Sequence, residues 1–361
     1  MIDGSAAGVP VDRRPGRPSA IRTVFLGSGR FAEPILAGLA AHAAVSVIAV
    51  VTAPPRPVGR RQVETPTPVE AMARDVGLEV LSPVRLRDPA ALAEILGLEP
   101  TFAVLADYGQ IVPIPLLELE HGALNLHPSL LPRHRGATPI PAAILAGDVA
   151  TGVSLMRMDA GLDTGPLVAV ERVALAGDET APALEVRLAI VAAGLLARAL
   201  GPWLAGQLTA HAQPADGATV TRPLRRSDGR ADPDRPAAAI ERQVRAYQPW
   251  PGCFIEVEGD RLVIRAASVA PSAPDDEPGR LVLDDLGPAL ATRDGRLILD
   301  EVQPAGGRPM RGVDFLRGRP AIVGRFVGRP SGDPDLVLSS DPAPGVDRPA
   351  HRADDASRDP A

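Results

Sequence analysis

The chain has 361 residues, 45% of them hydrophobic, with a formal net charge of −6, so it is long enough for two globular domains. A single cysteine, Cys253, excludes an internal disulfide framework and a multi-cysteine metal site. No apolar run approaches the ~18 residues that span a bilayer, and none follows Arg13, Arg14 and Arg17 to make a signal peptide, so a cytoplasmic protein without membrane attachment is expected. The sequence contains no lysine, and nucleic-acid contact would have to come from local arginines.

Residues 1–20 mix Gly, Pro, Ala and Arg without periodicity and read as a disordered leader. Thr23–Leu26 is a short buried strand, followed by Gly27-Ser28-Gly29 and an apolar helix pattern through Phe31, Ile35, Leu36 and Leu39. With the β-rich run Val45–Val51 this makes a βαβ unit, the start of a Rossmann-like, doubly wound parallel sheet in an α/β fold. Gly27-x-Gly29-x-x-Ala32 matches a dinucleotide fingerprint, but no carboxylate ends the second strand to take a ribose hydroxyl. The turn therefore reads as a close approach of backbone to some other ligand. Thr52–Pro68 is a Pro-rich connection carrying Arg56, Arg60 and Arg61, and its length favours a functional loop.

Further along, Val69–Val76 reads as a helix, Glu79–Leu81 as a strand, and Asp88–Leu96 as a helix with Asp88 at the N-cap and Pro89 in its first turn. Phe102–Ala106 is a buried strand leading into Asp107–Pro113. Ala123–Leu126 is a strand, Ile140–Leu145 a helix, Gly152–Met158 a strand, Asp159–Pro166 a Gly-rich turn, and Leu167–Val170 a strand. The amphipathic helix Ala183–Leu204 closes a first domain, 21–205, and 206–236 reads as a linker. A second domain, 237–330, opens with the helix Pro236–Tyr247. Five short strands follow, at Cys253–Val257, Leu262–Ala266, Gly279–Leu283, Ala289–Thr292 and Arg296–Val302, a spacing that suits a small OB-like barrel. Val313–Leu316 adds a helical turn, and the Pro- and Asp-rich residues 331–361 read as a disordered tail.

The segment Gly122–Gly136, GALNLHPSLLPRHRG, carries the chain's one asparagine, Asn125, two residues before His127. On a strand those side chains share a face. An amide and an imidazolium can both donate to one developing oxyanion, and a carboxylate such as Asp163 can orient the imidazole and take a proton. No nucleophile elbow accompanies them, and His134 has no useful metal-ligand spacing. The set suits direct attack of an amine on a carbonyl-type carbon. On the residues alone, a buried Asn/His pair satisfying strand-end backbone groups, with a capping Asp, remains the commoner explanation.

From Val24 to about Arg319 the chain resembles the methionyl-tRNA formyltransferases, in the formyltetrahydrofolate-dependent formyltransferase family. The motifs run in order: VFLGSGRFA, VVTAPPRPVGR, TPTPVEAMARDVGLEVLSPVRLRD, ADYGQIVP, LNLHPSLLPRHRGATPI, LAGDVATGVSLMRMDAGLDTGPL, VRAYQPWPG and VQPAGGRPM. The resemblance implies that Asn125, His127 and Asp163 are catalytic, and that Ser129, Leu130, Leu131 and Pro132 contact the folate. Tyr108, Gly109, Gln110 and Ile111 would wall the pterin pocket, and Arg56, Arg60 and Arg61 would meet tRNA. It implies 10-formyltetrahydrofolate as co-substrate, charged initiator methionyl-tRNA as acceptor and RNA partner, no metal, and no obligate protein partner. The chain departs from the family in a less basic loop at Gly59–Glu64, in His134 for a usual aromatic, in Pro141 for glutamine, and in Pro223 for lysine. Other acceptors compatible with the shared motifs are an amino-sugar nucleotide, or water in a formyltetrahydrofolate hydrolase. A non-catalytic RNA-binding protein is the rival from another class.

Overall fold

A computed structural model describes residues 20–59 and 61–328 and the backbone of 337–338. Arg60, the expected leader before Ala20, and the expected tail apart from Val337–Leu338 lie outside the described residues. Val337 and Leu338 form a two-residue strand, antiparallel to Val220 and Thr221.

The N-terminal half is built on β1 (Ile21–Gly27), β2 (Val45–Val51), β3 (Val80–Leu81), β4 (Phe102–Ala106) and β5 (Ala123–His127), all parallel. β6 (Ala150–Arg157) and β7 (Leu167–Ala174) extend this sheet antiparallel, giving the order β7-β6-β5-β4-β1-β2-β3. Being antiparallel to β6, β7 points the same way as β1–β5, so the parallel expectation fails only at β6. β6 is reversed because it begins at the site end of the sheet, where β5 stops, after the chain has passed through α5 (Pro139–Ala146).

β1 shows why this sheet is covered on both faces. Phe25 packs with α1 (Glu33–Ala40), α5 and α6 (Ala181–Leu204), whereas Val24 and Leu26 face α3 (Pro89–Gly97) and Leu116 of α4 (Ile114–Leu117). All three are fully buried, as alternation on a doubly covered parallel strand requires. The longest helix, α6, buries Leu184, Leu188, Leu195, Leu196 and Leu200, each contributing roughly 1.5–3 kcal/mol of transfer free energy. Side-chain caps start these helices: Thr67 accepts from Glu70 N at 3.0 Å ahead of α2 (Pro68–Asp75), and Asp88 accepts from Ala90 N at 3.0 Å ahead of α3.

The C-terminal half begins with α7 (Ala237–Ala246). β8 (Cys253–Val257), β9 (Asp260–Ala270), β10 (Leu281–Asp284), β11 (Gly287–Ala291) and β12 (Arg296–Pro304) then pair antiparallel in the order β8-β9-β12-β11-β10. The sheet curls, and single bridges from Val257 to Val327 and from Arg280 to Phe326 join its two edges through one segment. α8 (Gly312–Gly318) and α7 fill it with Phe315, Ile240 and Val244, against Ile255, Leu297 and Leu299. β9 and β12 are longer than expected because turn residues alone mark only where a strand ends, not how far a bulged strand continues.

Candidate active site

Asn125 and His127 sit at the carboxyl end of β5, where a doubly wound sheet opens to ligands. Their shared face meets Asp163, which the β6–β7 turn holds at φ 50°. Asn125 Nδ2 donates to Asp163 Oδ1 at 3.3 Å, and His127 Nδ1 lies 3.6 Å from Oδ2. The backbone N–H of Gly136 donates to the same Oδ2 at 2.7 Å. Gly136 has φ 93°, and a Cβ there would stand 2.3 Å from the Thr221 carbonyl, so this anchor requires glycine. Gln213 Nε2 donates to the carbonyls of Asp163 and Gly165, both at 2.8 Å, while Arg135 donates to Gln213 Oε1. The Asp163 turn is therefore fixed from three directions.

The tautomer follows from a second contact. His127 Nε2 lies 2.8 Å from the His134 carbonyl, which can only accept, so Nε2 carries a hydrogen. Nδ1 then faces the Asp163 carboxylate, 3.6 Å from Oδ2. Both side chains are largely buried, His127 at 6% and Asp163 at 13% exposure, which strengthens their interaction. Asn125 keeps one amide N–H beyond the one given to Asp163. The site thus sets a spare amide N–H, an imidazole nitrogen and a carboxylate side by side.

The neighbouring segment is shaped from within. Ser129 is fully buried and its hydroxyl donates to the Arg133 carbonyl at 2.7 Å. Ser154 Oγ accepts from Leu131 N at 3.1 Å and donates to the Ser129 carbonyl at 2.8 Å, while Leu131–Pro132 is a cis peptide. Leu131 and Pro132 are buried and Leu130 is half-buried. Gln110 is spent on the protein too: its amide accepts from Leu86 N at 2.7 Å and donates to Pro83 O at 3.1 Å. Gly109 has open space where a side chain would be, and Ile111 is exposed. Tyr108 packs toward the α3 face, its hydroxyl is buried without a partner among the described residues, and burial pushes its pKa up to about 12.

Asp107 explains the turn that looks like a dinucleotide fingerprint. Its carboxylate lies 1.7 Å from where a Gly29 Cβ would be and accepts from the Gly29 N–H. An internal carboxylate thus occupies the place of a bound phosphate, and burial raises its pKa despite that hydrogen bond.

The arginine loop is more ordered than its composition suggests. Arg56–Val58 and Val63–Thr65 pair as an exposed hairpin carrying Arg56 and Arg61. Its base is clamped by Thr52 Oγ1 and Thr67 Oγ1 at 2.7 Å, and by Ser28 Oγ, which accepts from Ala53 N at 3.1 Å. Gly136, the His134 carbonyl and Gln213 carry no sequence signal: two act through backbone, and Gln213 lies 50 residues from its partner. Among the described residues, no group of three or more His, Cys, Asp or Glu could hold a metal ion, and no helix is long and apolar enough to cross a membrane.

A Formyl transferase model matches residues 21–200, and a Formyl transferase, C-terminal domain model matches 223–320. The chain belongs to the formyl transferase family. It is 43% identical over 310 residues to a methionyl-tRNA formyltransferase of Roseiflexus sp. (strain RS-1), covering 85% of this chain and 95% of that one. The methionyl-tRNA formyltransferase of Parvibaculum lavamentivorans is 40% identical over 301 residues, with 82% and 97% covered. The fold is also that of an N-formyltransferase from Helicobacter canadensis, solved with folinic acid and dTDP-3-aminofucose. That match has a TM-score of 0.58 at 15% identity, over 77% of this chain and 98% of that one. The protein is an enzyme of formyl transfer, its sheet and curled barrel those of the family.

Proposed function

We propose that the chain moves the formyl group of 10-formyltetrahydrofolate to the amino group of methionine esterified to initiator tRNA. The similarity to methionyl-tRNA formyltransferases along both halves carries this reading. The folate supplies an activated formyl carbon, and the donor set of Asn125, His127 and Asp163 fits a reaction at such a carbon. As the amine attacks, a C–N bond forms and the formyl oxygen gains charge. Asn125 donates its spare N–H to that oxyanion, and His127 donates from Nδ1 when protonated. Asp163 accepts the amine's proton, directly or through His127, and the proton returns to N10 of the folate as its bond to carbon breaks. Ser129–Pro132 and Tyr108–Ile111 form the folate walls, with Tyr108–Ile111 acting through backbone because Gln110 is already engaged.

The labour divides between a catalytic domain, 21–205, and an RNA-binding domain, 237–330, joined by 206–236. Arg56, Arg60 and Arg61 meet the acceptor stem. In the second half, Arg261 stacks 3.6 Å over Phe254 beside exposed Arg226 and Trp250, chemistry suited to phosphate and bases. The deciding experiment supplies the purified chain with 10-formyltetrahydrofolate and charged initiator tRNA. Formyl-methionyl-tRNA is the expected product. Formylation of an amino-sugar nucleotide alone, or formate release without any amine, would assign the site to another acceptor.

A further inference from the structure

His134 has two sides. Its carbonyl receives His127 Nε2, and its side chain lines a separate cavity of about 210 Å³ together with Arg133, Asp148, Thr151 and Arg172. Asp148 accepts there from Arg133 at 2.6 Å and from His134 Nε2 at 2.8 Å, one on each oxygen. Burial alone would raise its carboxyl, but these two hydrogen bonds and the charges behind them hold it below its ordinary value. Two atoms are left over. His134 is 3% exposed and Thr151 2% exposed, yet His134 Nδ1 and Thr151 Oγ1 have no hydrogen-bond partner among the described residues. A buried polar atom left unpaired costs about 1–3 kcal/mol, so two on one cavity point to something that satisfies them.

The charges say what it is. Two guanidinium groups, an imidazole and one carboxylate line the cavity, and Arg172 makes no ion pair among the described residues. Two arginines against one carboxylate give the lining a net positive charge, which favours an anion over a cation. The volume admits a tetrahedral oxyanion but not a nucleotide. We propose that this cavity binds a phosphate group, held by Arg133, Arg172 and the Thr151 hydroxyl and packed against His134 Nδ1. Because the same residue's carbonyl orients His127, occupancy reaches the catalytic imidazole through one residue.

The test titrates the full chain with inorganic phosphate, following imidazole nitrogen resonances by NMR and heat by calorimetry. Phosphate shifts His134 Nδ1, and chloride at matched ionic strength does not. Arg172→Ala, an exposed position that leaves the core intact, weakens phosphate binding ~10-fold or more, as loss of a charge-assisted contact should. Thr151→Val weakens it less. If phosphate competes with RNA for the chain, the group recognised belongs to a polynucleotide backbone; if both bind together, it is the free anion. No shift at tens of millimolar phosphate, or equal affinity in Arg172→Ala, would show a merely solvated void and overturn the proposal.

Discussion

Asp163 and Asp228 are both largely buried carboxylates, and each accepts a backbone N–H, from Gly136 at 2.7 Å and from Arg225 at 2.6 Å. Their remaining partners differ. Asp228 is gripped by Arg222 through two hydrogen bonds of 2.8 Å, a bidentate pair with a permanently charged group. Asp163 has an amide at 3.3 Å and a titratable imidazole at 3.6 Å. The first arrangement fixes charge and pins the segment between the two halves, with Gln243 of α7 donating to the Asp228 carbonyl. The second leaves the carboxylate without a permanently charged partner, which suits the proton-accepting role proposed for it.

Exchanging each carboxylate for its amide breaks the comparison most sharply. Asp163→Asn cannot accept a proton and should lower kcat by roughly 10³–10⁴, with little change in thermal unfolding. His127→Ala should lose roughly 10²–10⁴ in kcat, and Asn125→Ala roughly 10²–10³, measured under folate saturation. Undiminished transfer in any of these variants would remove that residue from the chemistry.

Asp228→Asn should do the reverse, costing about 3 kcal/mol in denaturant unfolding as Arg222 loses its charged partner, while kcat changes little. Hydrogen bonds and the charge of Arg222 outweigh burial and depress the Asp228 carboxyl in the folded state. Its contribution is therefore present above the ordinary carboxylate range and lost as pH falls through the depressed value. The stability gap between wild type and Asp228→Asn should accordingly narrow on acidification; a gap that widened would reverse the assignment.

Smaller effects sharpen the picture. Gln213→Ala loosens the Asp163 turn and should slow kcat about 3–10-fold without moving the folate KM. Arg61→Glu should weaken RNA binding in a salt-dependent way, and equal loss of folate affinity would contradict the separation of hairpin and site.

Much of this was legible in the sequence. Asn125 and His127 could be read because period-two geometry forces residues two apart on a strand to one face. Asp163 could be read from its Gly-rich turn, though its distance could not. The reversal at β6 was hidden, since a buried strand reads the same in either direction. The hairpin inside the arginine loop was hidden by its prolines, which short edge strands tolerate. The anchors of Asp163 were hidden for another reason: backbone groups belong to every residue, and only the fold selects Gly136 and His134. The filling of the Gly27–Gly29 turn by Asp107 likewise needs two strand ends brought side by side.

The account stands or falls on single-turnover formylation of charged initiator tRNA by wild type and Asp163→Asn, with 10-formyltetrahydrofolate in excess. It predicts formyl-methionyl-tRNA from the wild type and a rate roughly 10³ lower or less from the variant, with both chains folded. Equal rates, or no formylated tRNA from the wild type, would contradict it.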